Sequence, residues 1–267
     1  MNRLALSAAG AALIALTLTA CGSNSDDTAS KGDQPSGGSS AVVITPTPSP
    51  TPSVTIKPFN ASGYLAGNAK PTFPAGEPGQ VSIVAQGPLN EDVAGGAVLP
   101  IAYRNNTGAA ISHVDLSATA RLNGKLVASG QSQGAAPAQV QPGEVGLAFI
   151  YFEDSKSMPD KGLKYEFTAD TMPADTSSYN TAPLTVGEAT YNGSSIVGTA
   201  DNKTGKPLTG PYDVQVYCFA GNKLTAEVGS YADQDNDINA GAKVSFTADL
   251  YDTKCDKFTV GVSGYFQ

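Results

Sequence analysis

Beyond about residue 80 the chain alternates apolar and polar side chains in short runs. Val114, Leu116, Ala118, Ala120 and Leu122 fall on one face, and Asp115, Ser117, Thr119 and Arg121 fall on the other. A period of two belongs to a half-buried β-strand. Val244, Phe246, Ala248 and Leu250 repeat the alternation against Lys243, Ser245, Thr247 and Asp249. No comparable helical stripe occurs. Runs of this kind, punctuated by Gly, Asn, Asp and Pro, predict an all-β protein built as a sandwich or a barrel.

The pattern is written twice. "NNTG" at Asn105–Gly108 returns as "NKTG" at Asn202–Gly205, each following an apolar run. "NGKL" ending at Leu126 returns as "GNKL" ending at Leu224, and the turn "QPGE" around Gly143 returns as "NAGA" around Gly241. The offsets are 97, 98 and 98 residues in the same order along the chain. A spacing this long marks tandem domains, whereas a solenoid repeats every 20 to 50 residues or so. The reading is two homologous tandem domains, at 80–180 and 181–267, joined near Thr181.

The second repeat carries a resemblance to a known family. Its "NKTG" turn, the long run "DVQVYCFAGNKL" and the later Gly turn before "KVSFTADL" resemble FxLYD-type immunoglobulin-like domains of exported bacterial lipoproteins. Cys218 and Phe219 stand near the place of that family's aromatic-acidic pair, and the first repeat is more divergent. The resemblance implies an all-β protein of two tandem antiparallel immunoglobulin-like β-sandwiches, each of about seven strands, with no catalytic residues. A telokin-like sandwich would show nearly the same pattern.

Ahead of the repeats the pattern is different. Arg3 precedes a run from Leu4 to Ala20 of Ala, Leu, Ile and small residues, the anatomy of a secretory signal at 1–20. Leu18, Thr19, Ala20 and Cys21 match a bacterial lipobox, so Cys21 is the expected lipid-attachment residue, bearing diacylglyceryl and palmitate-type acyl chains. Burial of acyl chains contributes about 0.8 kcal/mol per methylene, and two or more chains give stable attachment. An ordinary cleaved signal with a chance cysteine at its boundary is the alternative. From Cys21 to Gly79 the composition is rich in Ser, Thr, Pro, Gly and Asp, with "TPTPSPTPS" at Thr45–Ser53. Such a stretch predicts a disordered linker, extended where proline is dense. The Thr-Pro alternation also resembles glycosylated stalks.

Export bears on the cysteines, because disulfides persist outside the cytoplasm. Cys218 shares the apolar parity of Val214 and Val216, and Cys255 opens the last strand; a bond between them would stabilise by about 4 kcal/mol on the chain-entropy model. A redox-active pair is the alternative, without the Cys-x-x-Cys spacing that lowers a thiol pKa. The formal charge of −8 and a pI near 4.6 exclude a nucleic-acid partner, which requires a basic footprint, and disfavour wrapping on anionic lipid.

Candidate chemistry is sparse. Asp233, Asp235 and Asp237 in "DQDND" offer hard oxygen ligands suited to calcium, but Ile238 and Val244 stand where an EF-hand loop needs Gly and Glu. A solvated acidic loop tip explains them without a metal, and no cofactor is expected. His113 is the only histidine, so a triad or a zinc site has little to draw on. Paired carboxylates for glycoside cleavage are available, yet the chain has no tryptophan to stack a sugar. Tyr217 has outward parity, suiting a binding face or a cross-strand pair. Asn60, Asn105, Asn192 and Asn202 match the N-x-[ST] acceptor pattern and read better as turn residues.

These features together predict a non-enzymatic, lipid-anchored protein on the extracytoplasmic face of the cell membrane. It would act as a binding or scaffolding module toward an envelope protein or wall component. A hydrolase of wall polymers and a passive spacer or sensor ectodomain are the alternatives.

Overall fold

The computed structural model describes residues 54–267 apart from 92–94, 157 and 160. The signal segment, Cys21 and the Thr-Pro run lie outside the described residues. After β1 (Ala66–Gly67), the first repeat contains β2 (Val81–Gln86), β3 (Asn90–Glu91), β4 (Ala97–Asn105), β5 (Ile111–Leu122), β6 (Lys125–Ala136), β7 (Val145–Phe152) and β8 (Leu163–Pro173). The second contains β9 (Thr181–Tyr191), β10 (Ser195–Asp201), β11 (Leu208–Ala220), β12 (Lys223–Tyr231), β13 (Lys243–Asp249) and β14 (Lys257–Phe266). The described residues contain no helix.

Each repeat is one curled antiparallel sheet folded over its own core, giving two sandwich-like domains. The strand order is β2-β4-β7-β6-β5-β8 in the first, with β3 on β4. It is β12-β11-β14-β9-β10-β13 in the second, with β1 on β14. The predicted alternation is seen directly: Val114, Leu116, Ala118 and Ala120 of β5, and Val244, Phe246 and Ala248 of β13, are buried. The first core gathers Leu99, Ile101, Leu116, Ile150 and Phe152, and the second Leu184, Ile196, Val216, Phe246 and Val260. Strand β9 turns the corner of its sandwich. Its first residues pair with β14 (Leu184↔Val262), and from Thr185 onward it pairs with β10.

The duplicated "N-x-T-G" turns have a shared structural cause. Asn105 and Asn202 are both fully buried, and each organises the same hydrogen bonds. Asn105 Nδ2 donates to the carbonyls of Ala109 (2.8 Å) and Val140 (2.9 Å); Asn202 Nδ2 donates to those of Lys206 (2.8 Å) and Asn239 (3.1 Å). Their Oδ1 atoms accept from the backbone N–H and hydroxyl of Thr107 and Thr204 respectively. The second duplicated turn closes the set, since the amides of Gly143 and Gly241 donate to the carbonyls of Asn105 and Asn202, both at 2.7 Å. These glycines have φ of 80° and 81°, a region that side chains with a Cβ rarely adopt. One asparagine thus satisfies two distant loops, and its burial leaves no room for a sugar at Asn105 or Asn202.

The linker expectation is corrected for Val54–Gly79. This stretch is ordered against both sandwiches, because it carries apolar anchors that its average composition hides. Leu65, Ala69 and Pro71 are buried, and Phe59 and Phe73 pack edge to face with ring centroids 5.6 Å apart. Ala66 and Gly67 pair with Val260 and Thr259 as an added strand. The guanidinium of Arg104, only 2% exposed, donates to the carbonyls of Lys57, Phe73, Pro74 and Gly143. Burial lowers its pKa from the usual arginine value, and the four carbonyls replace the water it has lost. Beside it, buried Glu144 accepts from Ser62 Oγ (2.7 Å) and Lys57 Nζ (3.4 Å).

The two sandwiches meet over a separate apolar cluster that includes Leu65, Ala102, Ala136, Leu147, Tyr217, Phe219 and Leu224. Close approach is needed there: a Cβ on Gly261 would sit 2.7 Å from Ala136 Cβ and 2.8 Å from Leu65 Cδ2.

Two outcomes test this architecture. Asn105→Ala and Asn202→Ala each orphan buried backbone groups in two loops, so each lowers unfolding stability by about 2 kcal/mol or more in a denaturant titration. Arg104→Leu removes the donors that hold the leading segment, so amide exchange at Lys57 and Ala69 accelerates by about tenfold or more, while exchange in β11 changes little.

Candidate binding cleft

The outward face of the layer formed by β12, β11 and β14 is read across the ladder. Tyr231 pairs with Asp213, which in turn pairs with Ser263, and Tyr265 follows two residues along β14 on the same face. One end of this face, with Tyr217, Phe219 and Leu224, is sealed by the first sandwich. The other end emerges as one wall of a cleft of about 390 Å³. Tyr231 is 63% exposed and Tyr265 38% exposed, so both rings border open space. The opposing wall comes from the first sandwich, with His113 and Asp115 of β5 and Gln133 of β6.

A local irregularity sets the opposing wall. The β5–β8 register shifts between Ser112 and Asp115, and His113 has φ of 43°. Such a bulge re-aims side chains at a sheet rim. His113 and Asp115, which share parity in the sequence, both border the cleft. His113 Nδ1 lies 3.4 Å from Ser112 Oγ.

A hydrogen-bonded row runs from the cleft into the domain interface. Gln215 Nε2 donates to Asp213 Oδ2 at 2.7 Å, and Tyr217 Oη donates to Gln215 Oε1 at 2.7 Å. Tyr217 is fully buried and Gln215 is 2% exposed. Outward parity for Tyr217 is therefore seen, but the first sandwich covers the ring. Next to Tyr217 across the ladder is Glu227, whose Oε1 is enclosed without a hydrogen-bond partner. This oxygen lies 3.5 Å from where a Cβ on Gly229 would stand, so the side chain leans along β12 toward Tyr231 and the cleft.

Burial governs the electrostatics of the row. It raises the Asp213 carboxyl to about 6 against the lowering effect of the Gln215 hydrogen bond. Burial, with the Asp213 charge as the second cause, raises Glu227 to about 8. Burial also pushes Tyr217 well above the ordinary phenol value, reinforced by Glu227 and Asp213. At neutral pH the two carboxyls therefore hold close to one negative charge between them.

A second cavity, of about 560 Å³, has a different character. It lies under the leading segment, with Phe59, Leu65 and Phe73 among its lining residues and the cations Lys57, Lys70 and Arg104 at its edges. Arg104 is already saturated by backbone carbonyls, and Lys57 faces Glu144. The interdomain cleft has no Lys or Arg among its lining residues.

The other sequence candidates separate. Cys218 and Cys255 are joined by a disulfide, with Cα atoms 4.9 Å apart, in the core of the second sandwich. Asp233 accepts from Ser245 Oγ at 2.8 Å, whereas Asp235 and Asp237 are exposed along the loop. Among the described residues no group of three or more His, Cys, Asp or Glu side chains is placed to hold a metal ion. Asn60 and Asn192 act as turn residues: Asn60 Oδ1 accepts from the Leu65 amide, and Asn192 Oδ1 from the amides of Ser194 and Ser195. Asp213 and Glu227 were not singled out by sequence. Their signal was an acidic residue at outward parity on each of two neighbouring strands, which becomes informative only once a second domain covers that face. No protein-family model matches the chain, and no curated protein matches it.

The raised carboxyls predict a pH slope. The folded chain keeps protons that the unfolded chain, with carboxyls near 4 or so, has released. The Glu227 contribution to stability therefore falls as pH rises from about 4 toward its folded value of about 8 and is constant above it. Glu227→Gln removes that part of the slope. By thermal unfolding it melts at least about 3 °C higher than wild type at pH 8 or above, and the two converge at or below pH 5 or so.

Proposed function

We propose that the protein is a lipid-anchored, extracytoplasmic binding module of the cell membrane, tethered through acyl chains on Cys21. The observation that carries the binding role is the cleft between the sandwiches, where two partly exposed tyrosines flank a half-buried carboxylate. Clefts at domain junctions are preferred sites for small ligands, and both walls here belong to rigid strands. The sealed apolar end of the same face supports a fixed spacing between those walls. The resemblance to FxLYD-type domains of exported lipoproteins agrees with this role, as does the disulfide, which suits an oxidising compartment. The partner is a component of the envelope or wall, and the Thr-Pro run between Cys21 and the ordered part is the tether.

Metabolic labelling with an alkynyl fatty acid tests the anchor. The wild-type chain takes up label and partitions into detergent on phase separation, and Cys21→Ala does neither. An unlabelled wild type, or label that survives Cys21→Ala, removes the anchor from this reading.

A further inference from the structure

The charge balance of the cleft narrows the class of ligand it can hold, taking the binding role proposed above as its premise. Its lining includes the carboxylates of Asp213 and Asp115 and no lysine or arginine. Asp213 is anchored through one oxygen only: Oδ2 accepts from Gln215, which leaves Oδ1 without a side-chain donor. Behind it stands the Glu227 oxygen, enclosed, without a partner and directed along β12 toward the cleft. A positively charged donor in the cleft meets the open Oδ1 of Asp213 and offsets the charge that the two carboxyls share.

The remaining lining chooses among cations. A metal ion would need several converging oxygens, and the described acidic residues do not converge. The walls instead offer hydroxyl and amide groups from Thr181, Ser263 and Gln133, with Tyr231 and Tyr265 beside them. Hydroxyl and amide side chains pair with ligand hydroxyls, and aromatic faces cover the C–H face of a ring. The volume of about 390 Å³ accommodates one or two pyranose rings.

We infer that the cleft between the sandwiches binds an amino sugar with a free ammonium group, held by Asp213 with Glu227 behind it and stacked against Tyr231 and Tyr265. The cleft thereby distinguishes a deacetylated sugar from its N-acetylated or neutral counterparts, which present no charge to the carboxyls. The ligand class also accounts for the opposite signs of the two cavities, since the one beneath the leading segment is edged by cations and would reject the same ligand.

The test is calorimetric titration of the full chain in detergent at neutral pH with glucosamine, N-acetylglucosamine and glucose. Tyrosine fluorescence serves as a second readout, unobscured because the chain has no tryptophan. The expected result is saturable binding of glucosamine at one site per chain, with N-acetylglucosamine and glucose weaker by about tenfold or more, the loss of one charge-assisted contact. Asp213→Asn keeps the shape and weakens glucosamine by a similar factor. Tyr265→Ala, at a partly exposed ring whose removal leaves both cores intact, weakens glucosamine and reduces the fluorescence change. Equal binding of the three sugars overturns the role of the charge, and glucosamine affinity unchanged in Asp213→Asn overturns the site. No binding of glucosamine overturns the ligand class, and it leaves the anchored-module reading to the acyl label at Cys21.

Discussion

The outward face of the β12–β11–β14 layer is apolar at one end and polar at the other, and most of the architecture follows from that gradient. Tyr217, Phe219 and Leu224 cannot be left in water without losing burial worth about 1.5 to 3 kcal/mol each. The first sandwich covers them with Ala102, Ala136 and Leu147. Small residues let the layers close, as at Gly261 against Ala136. Once that end is sealed, the spacing of the two walls at the polar end is set by packed strands, and a cleft is left where Asp213, Tyr231 and Tyr265 emerge. Burial of the sealed end also isolates the carboxyls next to it from water. Their raised pKa values are a by-product of the joint, not of a local cluster of like charges alone.

The leading segment reinforces the same joint from outside. Its β1 strand extends the second sandwich through β14, while Arg104 of the first sandwich grips its backbone at Lys57, Phe73 and Pro74. A guanidinium with five donors in a planar fork suits several carbonyls at once, which a lysine ammonium would serve less completely. The segment therefore belongs energetically to both domains.

The strands, the duplication and the disulfide were legible because each leaves a local or periodic mark. Val114 to Leu122 alternate with the pleat, the two "N-x-T-G" turns share a hydrogen-bond pattern, and Cys218 sits in the apolar parity of its strand. The order of Val54–Gly79 was hidden because Phe59, Leu65 and Phe73 are single anchors diluted among Pro, Gly and Ser, and their stabilisation comes from partners far along the chain. The cleft was hidden for a related reason. Asp213 and Glu227 read as solvent-facing on their own strands, and only a second domain makes that face an interior. Tyr217 shows the limit most clearly, since its outward parity is right while its exposure is nil.

The two repeats close their sandwiches differently, and the disulfide is found in the one with the weaker seam. In the first repeat β6 and β7 form a ladder through Gln131↔Tyr151, Ser132↔Ile150, Ala135↔Ala148 and Ala136↔Leu147. The corresponding strands of the second repeat, β12 and β13, form no such ladder; they meet through the isolated bridge Ala232↔Phe246 just past β12, the Asp233 amide on the Ser245 carbonyl and the Ser230 hydroxyl on the Thr247 carbonyl. There β9 compensates by crossing between layers and pairing with β14 as well as β10. The bond from Cys218 on β11 to Cys255, just before β14, ties the β13–β14 connection to the layer that carries the cleft. A cross-link constrains the unfolded chain irrespective of which strands later pair, so it adds stability to this repeat independently of its shorter hydrogen-bonded seam. At Ala120, the first repeat's counterpart of Cys218, a small side chain is buried in the core of its own sandwich instead.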